Sequence, residues 1–253
     1  MEGKHCVDKY EHQTLDVIYV DSSIPGPGID LDEFESVFIT GCTCNLECKE
    51  NCTCTRGKQI YICEQLEESK EMILECNHNC KCNEKCGNRV VQQGPLDCLI
   101  VKETNKGLGL FTSKLIKKGQ FICEYAGEII GIEEASKRID EIQVNNLMNY
   151  VLVVSEFIGE KKITTCIDPA RFGNIGRYAN HSCQPNAFLV PVRIENMVPK
   201  LCLFASKNID AMDEITFNYG GKIDNSQITL SSTRCLCGSE VCMKFLPHSK
   251  HDF

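Results

Sequence analysis

The chain has 253 residues, of which 42% are hydrophobic and 25% charged, a balance that predicts one or two folded domains and excludes a disordered chain. No apolar run approaches the ~18 residues of a membrane span, and the N-terminus lacks the apolar core of a signal peptide, so we expect an intracellular protein without a membrane partner. A net charge of −8 disfavours autonomous DNA binding and favours basic peptides as partners.

Residues 1–40 are predicted to form an N-terminal arm. An apolar patch at residues 17–20 is followed by Pro25-Gly26-Pro27-Gly28, where two prolines and two glycines disfavour a helix. We expect an irregular segment that packs against the cysteine-rich region that follows.

Nineteen cysteines are too many for an ordinary intracellular protein, and their odd number without an export signal favours metal binding over disulfides. Two groups lie on either side of a charged insert within residues 41–97: Cys42, Cys44, Cys48, Cys52 and Cys54, then Cys76, Cys80, Cys82 and Cys86. Zinc takes four thiolates, so nine sulfurs can hold three ions if three of the sulfurs bridge. We expect a compact, closed cluster that contributes folding energy and has no catalytic position.

The other cysteines of the N-terminal and central regions are expected to have no metal role. Cys63 lies in the insert and is surplus to the cluster. The remainder occur in apolar or isolated contexts, which are typical of core residues: Cys6, Cys98, Cys123, Cys166 and Cys202.

The central part of the chain reads as strands with one helix. Residues 106–110, KGLGL, predict a tight turn between strands, and residues 121–130 predict a strand and a turn. Apolar residues then recur at helical spacing among charges from Ile132 to Ile142, which predicts an amphipathic helix over about 132–147. Residues 150–154, 188–194 and 201–205 are predicted as strands.

Residues 177–186, RYANHSCQPN, concentrate a guanidinium, an amide, an imidazole and a thiol before a turn-forming Gln-Pro-Asn. Residues 214–220, EITFNYG, alternate with period two, which places Ile215, Phe217 and Tyr219 on one face of a strand. Each residue alone has an ordinary interpretation as a core residue.

The C-terminal region supplies only three clustered thiolates, at Cys235, Cys237 and Cys242, after a polar linker. A fourth zinc ion needs one more ligand, and Cys183 in the RYANHSCQPN string is the obvious donor.

Together these strings resemble the SET-domain protein lysine methyltransferases, whose signature is Asn-His-Ser-Cys-x-Pro-Asn. The EYAGE run at 124–128 and the FNYG run at 217–220 resemble further motifs of that family. The divided cysteine groups and the CGNRVVQ run at 86–92 resemble the pre-SET region of its Suv39-like members, and the last three cysteines resemble post-SET motifs. Residues 191–201 resemble the subgroup in which the SET region is joined to a mariner transposase.

The resemblance implies a mainly β fold with short helices, a SET domain with pseudoknot-like C-terminal threading, and flanking pre-SET and post-SET zinc regions. The expected divisions are the pre-SET region at 41–97, the SET domain at 98–221 and the linker with the post-SET region at 222–253. The implied activity is methyl transfer from S-adenosylmethionine to a lysine of the histone H3 tail, in the nucleus and on chromatin, with four zinc ions as further cofactors.

The resemblance also implies roles for individual residues. Tyr219, Tyr125 and Phe217 are the expected catalytic residues. The expected cofactor-binding residues are Lys106, Gly107, Leu108, Tyr150, Arg177, Asn180, His181 and Leu236. Leu108 stands where the family commonly has Trp, and Asn218 where it usually has Asp. Phe217 occupies the position that sets product multiplicity, and a phenyl ring there implies di- or trimethyl-lysine.

Three alternatives stay open at this point: a catalytically silent scaffold that binds histone tails, a methyltransferase of a non-histone protein, and a cysteine-rich metal buffer. Binding of S-adenosylmethionine separates the enzymes from the other two. The target lysine also stays open. The Suv39-like zinc cluster implies lysine nine of H3, whereas the resemblance to the mariner-fused subgroup implies lysine thirty-six or lysine four.

Overall fold

The computed structural model describes residues 17–37, 39–48, 52–55, 59–67, 72–220 and 232–247. Strands dominate these residues, as predicted, and the longest helix is α2 (Ile132–Val144). The other helices are the short α1 (Leu31–Glu35) and two 3₁₀ helices at Val91–Gln93 and Ile175–Tyr178. No helix among the described residues is both long and apolar enough to cross a membrane.

The strands, in chain order, are β1 (Ile18–Tyr19), β2 (Ile24–Pro25), β3 (Tyr61–Ile62), β4 (Gln65–Leu66), β5 (Ile73–Leu74), β6 (Leu99–Thr104), β7 (Gly107–Thr112), β8 (Phe121–Glu124), β9 (Glu128–Ile130), β10 (Leu152–Ile158), β11 (Lys161–Asp168), β12 (Phe172–Gly173), β13 (Asn180–His181), β14 (Ala187–Arg193), β15 (Lys200–Ala205) and β16 (Thr216–Phe217).

Two four-stranded sheets form the framework, with strand orders β10-β11-β9-β2 and β5-β14-β15-β8. Side chains from both sheets meet in one apolar core, to which the first sheet contributes Ile129 and Ile167 and the second Leu201 and Leu203. Three of these four are fully buried, and burial of apolar surface on this scale is the main driving force for folding.

The tight turn predicted at residues 106–110 lies slightly earlier, because residues 105–106 connect β6 to β7 and residues 107–110 already belong to β7. Gly107 has φ +95°, a left-handed conformation that glycine adopts without steric cost. The predicted strands at 121–130, 188–194 and 201–205 are found as β8 with β9, β14 and β15, with shifts of a residue or two at their ends.

The predicted amphipathic helix is α2. Ala135 and Ile139 are buried against the sheet, whereas Ile132 is 41% exposed. The helix ends three residues before the predicted boundary because Asn145 caps it, with its side-chain Nδ2 donating to the Glu141 carbonyl at 2.8 Å.

The described part of the N-terminal arm is more regular than predicted, since β1 pairs with β12 and β2 pairs with β9. Ile39, near the end of the arm, contacts the cysteine region, where its carbonyl accepts a hydrogen bond from Asn77 Nδ2 at 2.8 Å. β9 and β12 supply the backbone hydrogen-bond partners of the arm, and a sequence pattern does not show which strand edges are available for such pairing. Residues 1–16 lie outside the described residues.

Residues 214–220 form a shorter strand than predicted, since only Thr216–Phe217 has strand geometry. The predicted shared face is confirmed, because Ile215, Phe217 and Tyr219 all pack against the same core. β16 runs parallel to β13, so the C-terminal end of the SET region lies beside Asn180 and His181, as expected of the pseudoknot-like threading.

Candidate active site and cysteine clusters

Tyr219 is anchored at both its backbone and its hydroxyl. The hydroxyl donates a hydrogen bond to the Ala179 carbonyl at 3.0 Å, and the backbone N–H donates to His181 Nδ1 at 3.2 Å. Burial raises the pKa of Tyr219 above its usual value of 10, so its phenol stays neutral at physiological pH. The ring is held at a fixed distance of 5.0 Å from that of Phe217.

Tyr125 lies on the other side of Phe217, with ring centroids 5.8 Å apart in an edge-on arrangement. Its hydroxyl donates to the Tyr150 carbonyl at 2.8 Å, and burial raises its pKa well above 10. The structure therefore brings the three expected catalytic residues into one aromatic group.

The aromatic group opens onto a groove of about 340 Å³. One wall is residues 152–155 of β10, and the other is residues 187–189 of β14 with Pro185. Phe217 and Tyr219 also line it. Four consecutive residues of β10 border the groove, and β10 is an edge strand of its sheet, so one wall is the edge of a strand.

The expected cofactor residues near the β6–β7 hairpin are joined by Glu214. The Lys106 ammonium is 2.6 Å from Glu214 Oε2, and Asn180 Nδ2 donates to Glu214 Oε1 at 2.8 Å and to the Leu108 carbonyl at 3.1 Å. We did not predict a role for Glu214 from the sequence. Its position at the start of the EITFNYG string was the available signal.

His181 acts as a hydrogen-bond acceptor at Nδ1, and its Nε2 is 3.4 Å from Cys183 Sγ. Burial, and to a smaller extent the nearby Lys106 charge, lower the pKa of His181 to about 4. A neutral ring at physiological pH keeps the Nδ1 lone pair available to the Tyr219 N–H.

Arg177 connects the helical turn before Asn180 to Tyr150. Its guanidinium lies 4.4 Å from the Tyr150 ring centroid, and its Nε donates to the Pro169 carbonyl at 3.0 Å. A cation over a tyrosine face is attractive and orients both groups. Since Tyr150 also accepts the Tyr125 hydrogen bond, Arg177 is linked to the aromatic group.

The remaining expected cofactor residues are exposed. A Cβ placed on Gly107 would meet nothing within 4 Å, so the hairpin turn has open space beside it. Leu236 lies between two cysteines of the C-terminal region and is 50% exposed.

The cysteines of the pre-SET-like region form three overlapping groups of four, each with its sulfurs within 4.8 Å of one another. The groups are Cys42, Cys44, Cys48 and Cys52; Cys42, Cys54, Cys76 and Cys80; and Cys42, Cys48, Cys76 and Cys82. Cys42, Cys48 and Cys76 each belong to more than one group. Cys86 is outside these groups, but it is buried and its Sγ accepts the Cys48 N–H at 3.4 Å.

A fourth group combines Cys183 with Cys235, Cys237 and Cys242, the pairing expected from the sequence. Four sulfurs at this spacing match the ligand set that tetrahedral zinc takes. Cys63 is exposed, and Cys98, Cys123, Cys166 and Cys202 are buried in apolar surroundings, also as predicted. Cys6 lies outside the described residues.

Arg89 supports the larger cluster from outside. Its guanidinium donates to the carbonyls of Cys76 and Asn77, at 3.0 and 2.7 Å, and lies 3.8 Å from Cys82 Sγ. A fixed positive charge beside many thiolates offsets part of their mutual repulsion.

Comparison with known proteins agrees with these features. Residues 107–220 match the family model described as SET domain, and residues 5–89 match the Pre-SET motif. Histone-lysine N-methyltransferase SETMAR of Mus musculus is 40% identical over 250 residues, covering 91% of this chain and 80% of the relative.

Two solved structures are similar over most of the chain. The methyltransferase domain of human SETMAR superposes with a TM-score of 0.80 at 36% identity, covering 91% of this chain and 89% of that one. KRYPTONITE in complex with mCHH DNA, an H3(1–15) peptide and SAH superposes with a TM-score of 0.74 at 27% identity, covering 93% of this chain and 48% of that one.

Proposed function

This chain belongs to the SET-domain family of histone-lysine methyltransferases, and we propose that it transfers methyl groups from S-adenosylmethionine to a lysine of the histone H3 tail in the nucleus. The observation that carries the proposal is that Tyr219 and Phe217 line a groove and also lie beside Asn180 and His181. The proposed divisions are residues 41–97, 98–221 and 222–253 for the pre-SET, SET and post-SET regions.

The groove suits an extended, basic peptide. β10 has one unpaired edge among the described residues, and residues 187–189 of β14 line the opposite wall of the groove. A peptide strand that lies along the β10 edge gains backbone hydrogen bonds from it. The net charge of −8 favours a lysine-rich tail over an acidic one.

The aromatic group prepares the lysine. A free lysine amine has a pKa of ~10.4 and is protonated, and only its neutral form is nucleophilic. Burial among the rings of Tyr125, Phe217 and Tyr219 disfavours the ammonium and lowers that pKa. The fixed Tyr219 hydroxyl and the neighbouring Ala179 carbonyl would orient the amine.

S-adenosylmethionine supplies a methyl group on a sulfonium, which loses its charge as the methyl leaves, so positioning is the main requirement. Asn180, His181 and Arg177 are each fixed by hydrogen bonds or ring contacts, which suits residues that orient a ligand. The proposed binding set is Lys106, Gly107, Leu108, Tyr150, Arg177, Asn180, His181 and Leu236. The open space beside Gly107 fits a ligand against the hairpin backbone.

We also propose four structural zinc ions. In the larger cluster Cys42, Cys48 and Cys76 would bridge, since they are the cysteines shared between groups. Each ion would then be completed by two terminal sulfurs: Cys44 with Cys52, Cys54 with Cys80, and Cys82 with Cys86. The fourth ion would be held by Cys183, Cys235, Cys237 and Cys242.

The test is to incubate the zinc-replete protein with S-adenosylmethionine and recombinant nucleosomes, and to map modified lysines by mass spectrometry. Tyr219→Phe is expected to reduce turnover by about a hundredfold or more, because the amine loses its positioning group, while cofactor binding persists. Tyr61→Phe is the matched control, since Tyr61 is a buried tyrosine that packs against Phe204 in a separate cluster.

Methylation by the parent and by Tyr61→Phe, lost in Tyr219→Phe, supports the proposal and identifies the lysine. Cofactor binding without histone methylation contradicts the H3 assignment and points to a non-histone substrate. A parent that does not bind S-adenosylmethionine contradicts the enzymatic function altogether.

A further inference from the structure

Glu214 has no role in the function proposed so far, yet both of its carboxylate oxygens are committed. Oε2 lies 2.6 Å from the Lys106 ammonium, and Oε1 accepts the Asn180 Nδ2–H at 2.8 Å. The Glu214 side chain is 21% exposed and that of Lys106 is 14% exposed, so the ion pair is largely removed from water. Such a pair is less screened by salt than a surface pair.

The backbone around Glu214 is held from two further directions. The Glu214 carbonyl accepts a hydrogen bond from Asn186 Nδ2 at 2.8 Å, and the next residue, Ile215, donates its N–H to the Leu110 carbonyl at 2.7 Å. The carboxylate is therefore fixed between the β6–β7 hairpin and the strand that leads to Tyr219.

The Glu214 carboxylate explains why the second glycine of the KGLGL run, Gly109, has no room for a side chain. A Cβ on Gly109 would lie 2.8 Å from Glu214 Oε1 and 3.1 Å from Asn180 Nδ2, closer than van der Waals contact allows. Gly107 serves the hairpin turn through its positive φ, whereas Gly109 makes room for the Glu214–Asn180 contact. Gly109 therefore has a packing role that needs no ligand.

Glu214 also changes the net charge that a ligand meets at the binding site. S-adenosylmethionine carries a sulfonium, an ammonium and a carboxylate, and is therefore a cation, whereas S-adenosylhomocysteine lacks the sulfonium charge. An unpaired Lys106 ammonium at the binding site would repel the cation more than the demethylated product. Glu214 neutralises that ammonium.

We propose that Glu214 is a positioning residue of the methyl-donor site, which orients Asn180 and Lys106 and supplies the counter-charge that lets this site accept a cationic ligand. This inference rests on the proposed function. It concerns the ratio of the affinities for S-adenosylmethionine and S-adenosylhomocysteine, which a merely structural residue would not change.

The experiment measures both affinities by calorimetry on the zinc-loaded full chain, without peptide. Glu214→Gln keeps the shape of the side chain and removes its charge. We expect it to weaken S-adenosylmethionine about tenfold more than S-adenosylhomocysteine. Asp213→Asn is the matched control, because Asp213 is the adjacent carboxylate and is exposed. It should leave both affinities within about twofold of the parent.

A second variant keeps the test decisive if Glu214→Gln folds poorly. Lys106→Gln leaves the Glu214 charge unpaired, so the affinity ratio should move in the opposite direction, towards S-adenosylmethionine. Equal weakening of both ligands in Glu214→Gln, or an unchanged ratio in Lys106→Gln, overturns the counter-charge role. A parent protein that binds neither ligand contradicts the proposed function instead.

Discussion

The guanidinium of Arg193 donates two hydrogen bonds to the carboxylate of Glu156, at 3.0 and 2.8 Å. Glu156 follows the β10 residues that form one wall of the groove, and Arg193 ends β14, whose first residues form the other. The Arg193 side chain is fully buried, and its Nε donates to the Met197 carbonyl at 2.9 Å. One ion pair therefore joins the two walls at one end of the groove.

Replacing Glu156 with Gln would leave the buried Arg193 guanidinium without its counter-charge. We expect the free energy of unfolding to fall by about 3 kcal/mol, because removing one partner of a buried pair leaves an uncompensated charge. The walls would also lose their fixed spacing, so KM for an H3 tail peptide should rise while Kd for S-adenosylmethionine stays near that of the parent. Urea denaturation and steady-state kinetics measure these quantities.

Glu160→Gln is the matched control for this variant, since Glu160 is exposed at the turn between β10 and β11. It should change the free energy of unfolding by less than about 0.5 kcal/mol. An equal rise in the peptide KM and the cofactor Kd of Glu156→Gln would show that the ion pair does not act on the groove in particular.

The overlap of the cysteine groups predicts unequal effects of single substitutions on zinc content. Cys42→Ser removes a sulfur shared by several groups and should lower the content from about four ions per chain to about two. Cys44→Ser removes a terminal sulfur and should cost about one ion. Atomic emission on purified protein provides the count.

Cys63→Ser controls for the substitution itself, because Cys63 is exposed and belongs to none of the groups found among the described residues. It should keep the full zinc content. Identical losses in Cys42→Ser and Cys44→Ser would refute the bridging assignment, whatever the absolute number of ions.

Phe217 is expected to decide how many methyl groups the lysine receives. The side chain is 1% exposed and contacts the rings of both Tyr125 and Tyr219, so a hydroxyl added there would lie within the aromatic group that we propose to hold the amine. We expect the parent to form di- or trimethyl-lysine and Phe217→Tyr to stop at monomethyl-lysine. Mass spectrometry of the peptide product over time distinguishes the two.

Phe157→Tyr adds the same hydroxyl to an exposed residue of β10 and should leave the product distribution unchanged. If Phe217→Tyr and Phe157→Tyr gave the same mixture as the parent, the position of the hydroxyl would be irrelevant and the role of Phe217 would be disproved.

Much of the architecture was predictable because its signals are local. Helical spacing predicted α2, and the KGLGL run predicted the hairpin turn at Gly107. One long-range contact was also predictable from zinc chemistry. Three thiolates near the C-terminus imply a fourth ligand elsewhere in the chain, and Cys183 lies beside them in the structure.

The errors and omissions have a different origin. The pairing of β1 with β12 and of β2 with β9 was not predicted from the sequence, because the partner strands are distant in the chain and meet the arm only in the folded protein. The contacts of Glu214 were missed because its position beside the EITFNYG motif was its only signal, and a glutamate in a strand is ordinarily a solvated residue.

Sequence patterns were sufficient for the types of the main elements and for the metal-ligand chemistry, because periodicity, turn residues and thiolate spacing act over short stretches or through specific chemistry. The family was recognised from the resemblance of the short motifs. Three features required the folded chain: the β10 edge borders the groove, Glu214 joins Lys106 to Asn180, and Arg193 pairs with Glu156. These contacts depend on how segments that are distant in the chain pack together. A polar side chain that is exposed can hydrogen-bond to water, whereas a buried one needs a protein partner, and the sequence does not say which side chains are buried.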